Sequence, residues 1–599
     1  MSISIPRPVH RFHIPVMGTG FTIATPVRVA RFGISSVVSI VDDHLIEQTR
    51  HRIAAEFGRV TEAIGSREPD ARARRITAYL DLLEDIVSEQ VETLRHAVFE
   101  KGSEIHQYFE MLPRSPLRDL YEHMIHHDDG PEKAALQDRL RSAIRPGSID
   151  VNIMTKLDRD AETGKLASGT KASHAMAALR GFAQSRVDGA VILSAGLNLR
   201  LFSSIGEFDN FLPDAAGRLR KRVVLKVQDL RSAAIQGKVL AKRGVWVSEF
   251  RVESGLNCGG HAFGDRGRVL GPILEEFRDG RRQLCEQLHG LTNRALRAAG
   301  RPELPDTAET RLTVQGGIGT AEEDTRLREK DSVDGTGWGS PFMMVPEVVS
   351  IDDDHLQKLA DAGEDDLELS DASPLGVPFW ILKTSTSEAL RQEKIDAGKP
   401  GFRCTKGFLI SNFDYADKGL CTASRGFQNK KLAGLGDEDL TEDQRADVET
   451  SVTAKACLCR HLAGGAEPVD ETGEEVPTAV CCGPNTAYFS RVATLREMVD
   501  HIHGRIHLPI DRNRPHMFVK ELRLHVEQLE KLLERGARGL AEVCPDTVAE
   551  TRSNLLQAID HYVERAHEVG GAKTGTFLDH LEDLRDRLGV CVTPTRALA

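Results

Sequence analysis

The sequence predicts an α/β protein built on a closed (β/α)8 barrel, and three observations carry that prediction. Eight short β-branched runs, each followed by Gly, Asn or Ser, recur through the first 345 residues, as buried parallel strands and their functional loops do. Helix-like stretches separate most of them, so the order is strand then helix, repeatedly. The span Arg11 to Val345, once the residues from 43 to 146 are excised, is close to the roughly 250 residues of a typical barrel.

The strands are expected at His13–Met17, Ser35–Val41, Ile149–Met154, Ala190–Ser194, Val223–Val227, Val245–Phe250, Arg311–Gln315 and Val333–Thr336. Between them, Ser173–Ser185 and Ser232–Arg243 place Ala, Met and Leu along one helical face. The connection 43–146 is long, charged and helical in pattern, with Leu80, Leu82, Leu83, Ile86, Val87, Val91, Leu94 and Val98 at helical spacing. It reads as a helical insertion into a barrel spanning 11–350. Residues 351–490 begin acidic and then carry six of the ten cysteines, which marks a Cys-rich accessory module. Residues 514–588 place Phe518, Leu522, Leu529, Leu533, Leu555, Ile559 and Leu581 at helical spacing, so a C-terminal helical hairpin or bundle is expected.

Composition narrows the function. A net charge of −12 lacks the basic field of a nucleic-acid binder. With 40% apolar and 28% charged residues the chain is globular rather than disordered. No apolar run reaches the 18 or more residues of a membrane span, and no basic flank with an apolar core opens the chain. Ten cysteines in 599 residues are too dilute for a disulfide scaffold. A soluble, cytoplasmic protein with no nucleic-acid or membrane partner is expected, acting on a small molecule, with a homo-oligomer left open.

Barrel enzymes place their chemistry at the C-terminal ends of the strands. After the seventh strand stands Gln315-Gly316-Gly317-Ile318-Gly319-Thr320, and after the eighth Gly335-Thr336-Gly337-Trp338-Gly339-Ser340. Glycines there let backbone N–H groups approach an anion at a helix N-terminus, and these two loops commonly hold a phosphate. Beyond the sixth strand comes Glu253-Ser254-Gly255-Leu256-Asn257-Cys258-Gly259-Gly260-His261. Its glycines leave room for a planar ligand, and the imidazole of His261 suits proton transfer near neutral pH.

In order along the chain these segments resemble the nitronate monooxygenase (2-nitropropane dioxygenase-like) family of FMN-dependent TIM barrels, which includes the FabK-type enoyl reductases. Ile14-Pro15-Val16-Met17-Gly18 is similar to the family's first-strand region, Val151-Asn152-Ile153 to its Gly-Val-Asn-Leu strand, and Cys258-Gly259-Gly260-His261 to its Glu-Ala-Gly-Gly-His signature. Gly316-Gly317-Ile318 and Asp334 to Phe342 resemble its paired glycine motifs. The chain departs from the signature at Asn257 and Cys258. The resemblance implies an FMN across the barrel mouth, its phosphate against Gly316, Gly317, Gly339 and Ser340 and its ring near Met17, Gly18 and Asn152, with Gly260 and Gly337 as further cofactor-binding positions. It implies His261 as general acid/base and Lys226 as a catalytic, cofactor-facing charge at the flavin N1/O2 edge. Lys226 paired with Asp229 at the barrel rim is the other reading of that residue.

Cys404, Cys421, Cys457, Cys459, Cys481 and Cys482 fall within 79 residues. Thiolates gathered by loops suit an iron–sulfur cluster or zinc, although the gaps are irregular and no CxxC pair occurs; buried inert thiols are the alternative. His501, His503 and His507 read as surface histidines. The expected function is an FMN-dependent oxidoreductase. An NAD(P)H-dependent enoyl-type reductase with an Fe–S cluster, and a non-catalytic barrel scaffold, are its alternatives.

Overall fold

A computed structural model describes residues 8–154, 157–158, 160–165, 171–194, 196–258, 265–470, 473–509, 511 and 513–591. Eight strands close into a parallel barrel: β1 Phe12–Ile14, β2 Ser35–Ser39, β3 Ile149–Ile153, β4 Gly189–Leu193, β5 Lys221–Val227, β6 Val247–Glu253, β7 Arg311–Gln315 and β8 Gly335–Gly337. Each strand pairs with its sequence neighbours, and β1 closes the cylinder on β8 with Phe12 opposite Thr336. The eight expected strands are thus the eight observed ones. They were visible because a strand buried on both faces must be apolar almost throughout, as in the fully buried Gly-Ala-Val-Ile-Leu of β4.

Two apolar layers follow from strand alternation. Val38, Val151, Val191 and Leu225 point outward into the main core shared with the helices. Val37, Ala190, Ile192 and Val224 form a separate buried cluster inside the barrel, with Val16 packed on it. The interior is polar at both ends of that plug. Toward the N-terminal face, Glu249, Arg251 and Arg311 line a cavity of about 560 Å³.

Five helices lie between β2 and β3. The longest, Ala71–His96, belongs to the helical ring of the barrel: it lies against the helix His174–Gln184, where Thr77 Oγ1 donates to the Gly181 carbonyl at 2.9 Å. Gly181 permits that approach, since a Cβ there would stand 2.7 Å from the Ala73 carbonyl oxygen. Ile76, Tyr79, Leu80, Leu83, Ile86 and Val87 form its buried face.

Residues beyond 345 fold over the C-terminal mouth. Gly20 N–H donates to Leu462 O at 3.1 Å and Ser350 N–H to Phe21 O at 2.8 Å. The C-terminal helices Met517–Ala537, Pro545–Glu564 and Thr574–Val590 dock beside it through Glu521, whose carboxylate accepts the Gly255 and Leu270 N–H groups at 3.2 and 2.8 Å. Among the described residues, no helix is long and apolar enough to cross a membrane.

Candidate active site at the barrel mouth

The mouth is organised by Glu253, the last residue of β6. Its Oε1 meets Lys226 Nζ at 2.8 Å and accepts from Asn257 Nδ2 and from Gln315 Nε2, each at 2.7 Å. Lys226 comes from β5 and Gln315 from β7, so one carboxylate ties three neighbouring strand ends together. Lys226 is therefore paired with Glu253 rather than with Asp229, which instead caps the helix Leu230–Ala241 and binds Arg268. Across the barrel, Asn152 near the end of β3 has its Oδ1 buried without a hydrogen-bond partner. Met17 is fully buried, and Gly18 adopts φ +56.

The two glycine turns lie together, and both face the segment Leu256 to Cys258. A Cβ on Gly316 would stand 2.7 Å from the Asn257 nitrogen, one on Gly317 2.7 Å from Leu256 Cδ1, and one on Gly339 3.0 Å from Cys258 Sγ. Gly316 and Gly317 also hold φ of +102 and +80, so these turns require glycine twice over. Gly337 lies lower, within β8, against Gln315 and His13.

The cradle between these turns is filled by the chain's own groups. Arg514, delivered from the C-terminal region, donates to the Gly317 carbonyl at 2.7 Å and forms a two-pronged ion pair with Glu323 at 2.8 and 2.9 Å. Glu323 sits in the first turn of the helix Ala321–Glu329 and accepts Gly319 N–H at 2.9 Å. A carboxylate thus takes the place at the helix N-terminus that suits a phosphate. Burial alone would push Glu323 up, but the Arg514 guanidinium and the nearby His516 hold it below its ordinary value. Ser340 Oγ accepts Gly483 N–H at 3.1 Å. As folded, Gly316, Gly317, Gly339 and Ser340 do not fit the phosphate of FMN, because an anion there would have to take the place of the Glu323 carboxylate beside Arg514 and of Gly483 at Ser340. Gly260 and His261 lie outside the described residues.

The six clustered cysteines divide into two groups. Cys481 and Cys482 descend to the mouth, where they join Cys258; the other four lie beside it. The Cys481 thiol donates to Cys258 sulfur, and this hydrogen bond, reinforced by the positive charge of Lys226, holds Cys258 below its ordinary value in spite of complete burial. The same contact together with burial pushes Cys481 well up. Burial also pushes Cys482 up.

Sequence reasoning passed over Glu253, Gln315, Cys258 and Arg514 as site residues. Glu253 and Gln315 were open to discovery, since each ends a strand and faces inward by alternation with Arg251 and Thr313. Arg514 carried no local signal, because its partner lies 191 residues away.

No protein-family model matches the chain, and no curated protein does. Among solved structures, nitroalkane oxidase from Streptomyces ansochromogenes aligns with it over 84% of this chain and 95% of that chain, at 9% identity and a TM-score of 0.34. The likeness concerns architecture, and nothing about the reaction follows from it.

Proposed function

We propose that the protein is an oxidoreductase that works on a small molecule at the C-terminal mouth of its barrel, with Cys258 as the reacting group. The observation that carries this reading is the contact of the Cys258 and Cys481 thiols at the barrel mouth, where Cys258 also faces Gly339 and feels the charge of Lys226, at the position where barrel enzymes keep their chemistry. A thiolate so placed attacks; a thiol does not. Oxidation of the pair, with Cys258 reacting as the thiolate and Cys481 as the thiol, joins Cys258 Sγ to Cys481 Sγ and delivers two electrons and one proton to a bound two-electron acceptor, and the reverse step reduces the disulfide. Glu253, paired with Lys226, works against the lowering of Cys258.

The test is mild oxidation of the native protein with diamide, acid quenching and peptide mapping. A Cys258–Cys481 disulfide is expected, along with a Cys258 thiolate that titrates below the ordinary thiol range. A Cys258 that titrates at or above that range, with no such crosslink, refutes the reading.

A flavin-dependent, nitronate monooxygenase-like reading, with His261 as acid/base and NAD(P)H as a donor in its reductase form, is favoured by one observation: the unpaired Asn152 Oδ1 buried at the same mouth. It requires Glu323 and Gly483 to give up their places in the cradle. Flavin in the supernatant of denatured protein would support it, and a colourless supernatant from protein refusing added FMN would remove it.

A further inference from the structure

Four cysteines outside the centre proposed above are gathered by a framework built for them. The backbone on the N-terminal side of Cys404 is tied to the loop after Cys421, with Phe402 N–H donating to Ala423 O at 3.0 Å and Arg425 N–H to Phe402 O at 2.9 Å. Gly401, at φ +82, makes room for this pairing, since a Cβ there would stand 2.8 Å from Arg425 Cα. Cys404 and Cys421 are in hydrogen-bond contact. Gln428, fully buried, donates from Nε2 to Thr422 O at 3.3 Å and to Lys455 O at 3.4 Å, which ties the loop of Cys421 to that of Cys457. Cys457 caps the helix Leu458–His461, and Cys459 lies within it. Cys459 is within electrostatic reach of Cys404, Cys421 and Cys457.

We propose that Cys404, Cys421, Cys457 and Cys459 bind an iron–sulfur cluster. Four thiolates are the ligand set of such clusters. A single zinc ion would need the four sulfurs about 3.8 Å apart, from Zn–S bonds of about 2.3 Å in a tetrahedron. Among the described residues, the one group of three or more His, Cys, Asp or Glu ligand atoms all within 4.8 Å of one another is Asp352, Asp354 and His355. No three of the four sulfurs therefore lie all within 4.8 Å of one another, which is wider than the sulfur tetrahedron around a single zinc ion.

The surroundings agree. Amide N–H groups of Ala423, Arg460 and Leu409 are aimed at the sulfurs of Cys421, Cys457 and Cys459, the hydrogen bonds that stabilise cluster thiolates and tune their potential. Arg460 and Lys406 bring positive charge to Cys457. Lys406 is also anchored 3.1 Å from Asp42, the N-cap of the helix Asp43–Glu56 that follows β2, and Asp42 is within reach of Cys459. The quartet is thereby set beside the barrel mouth, with Cys404 exposed and Cys421 buried.

The test is the full chain purified under anaerobic conditions. A brown protein with equal amounts of iron and acid-labile sulfide is expected, with a paramagnetic signal in either the oxidised or the dithionite-reduced state. Cys404→Ser and Cys457→Ser should each lose most of the iron, while Cys544→Ser, an exposed thiol at the start of the helix Pro545–Glu564, keeps it. Circular dichroism of the serine variants separates loss of the cluster from loss of the fold, and the iron content of the unaltered chain decides without them. Stoichiometric zinc, or no iron and sulfide even after anaerobic reconstitution with ferrous iron and sulfide, overturns the proposal. It stands apart from the thiol-pair reading, because Cys258→Ser removes the reacting pair and leaves the cluster in place.

Discussion

Replacing Arg514 by Ala tests whether the cradle between the two glycine turns is a structural ion pair. Arg514 is 5% exposed and Glu323 3% exposed, and the guanidinium makes two bonds to the carboxylate, one to Gly317 O and one to Asn485 Oδ1 at 3.3 Å. Its loss leaves Glu323 buried with two backbone donors, Gly319 N–H and Met517 N–H, both at 2.9 Å. Breaking a buried pair from one side costs about 3–5 kcal/mol, because the remaining charge is uncompensated. With a denaturant slope of about 5 kcal/mol/M, the guanidinium midpoint falls by about 0.6–1 M.

The deficit depends on pH in a direction the structure sets. In the unaltered chain Glu323 is depressed, so its contribution is present above the ordinary carboxylate value and is lost as pH falls. In the variant, burial raises Glu323, which then stabilises below that value and loses its contribution as pH rises. Both effects narrow the gap toward acid pH. Arg514→Lys recovers only part of the loss, since an ammonium cannot reproduce the two-pronged geometry. A cycle with Glu323→Gln should report a coupling of about 0.5–3 kcal/mol. An Arg514→Ala midpoint within 0.1 M of the parent's, roughly the scatter of such fits, would show that the pair does not hold the cradle shut.

Three further outcomes follow from single positions. Glu249, inside the N-terminal half of the barrel, is pushed up by burial but pulled down to about 2 by Arg251 and Arg311, a net stabilisation of about 3 kcal/mol; that contribution is complete above pH 4.5 or so and fades toward pH 2, and Glu249→Gln should flatten the acid limb of a stability-against-pH curve. Lys226→Met removes the positive charge beside Cys258, so its thiolate absorption should titrate at higher pH than in the parent, and an unchanged titration would separate Lys226 from the thiol. Gly483→Ala puts a Cβ 2.4 Å from Ser340 Oγ and 3.1 Å from Leu256 O, which should cost about 1–3 kcal/mol by thermal denaturation; an unaffected melting temperature would mean that this segment does not cover the mouth.

How much of the molecule the amino-acid order reveals depends on the distance over which each decision is made. The barrel strands are local decisions: a run such as Gly189–Leu193 must be apolar to survive between a neighbouring strand and a helix, and the requirement is written in consecutive residues. The helix Ala71–His96 shows the first limit, for its apolar stripe is plain in the sequence while its place in the ring depends on Gly181, more than a hundred residues on. The mouth shows the second. Its glycine turns are legible as turns that require glycine, yet glycine admits a phosphate or a neighbouring backbone equally well, and which of them arrives is decided by Arg514, Gly483 and Cys481, far along the chain. The same holds for the cysteines. Six thiols in 79 residues read as one set, but Cys481 and Cys482 follow a segment that drops to Cys258, while Gln428 and Gly401 hold the other four apart from it. The division leaves the Cys258 and Cys481 thiols in contact at the mouth beside Lys226, and the other four cysteines in a separate group near Arg460 and Lys406, so the two proposals stand on different residues and can fail independently.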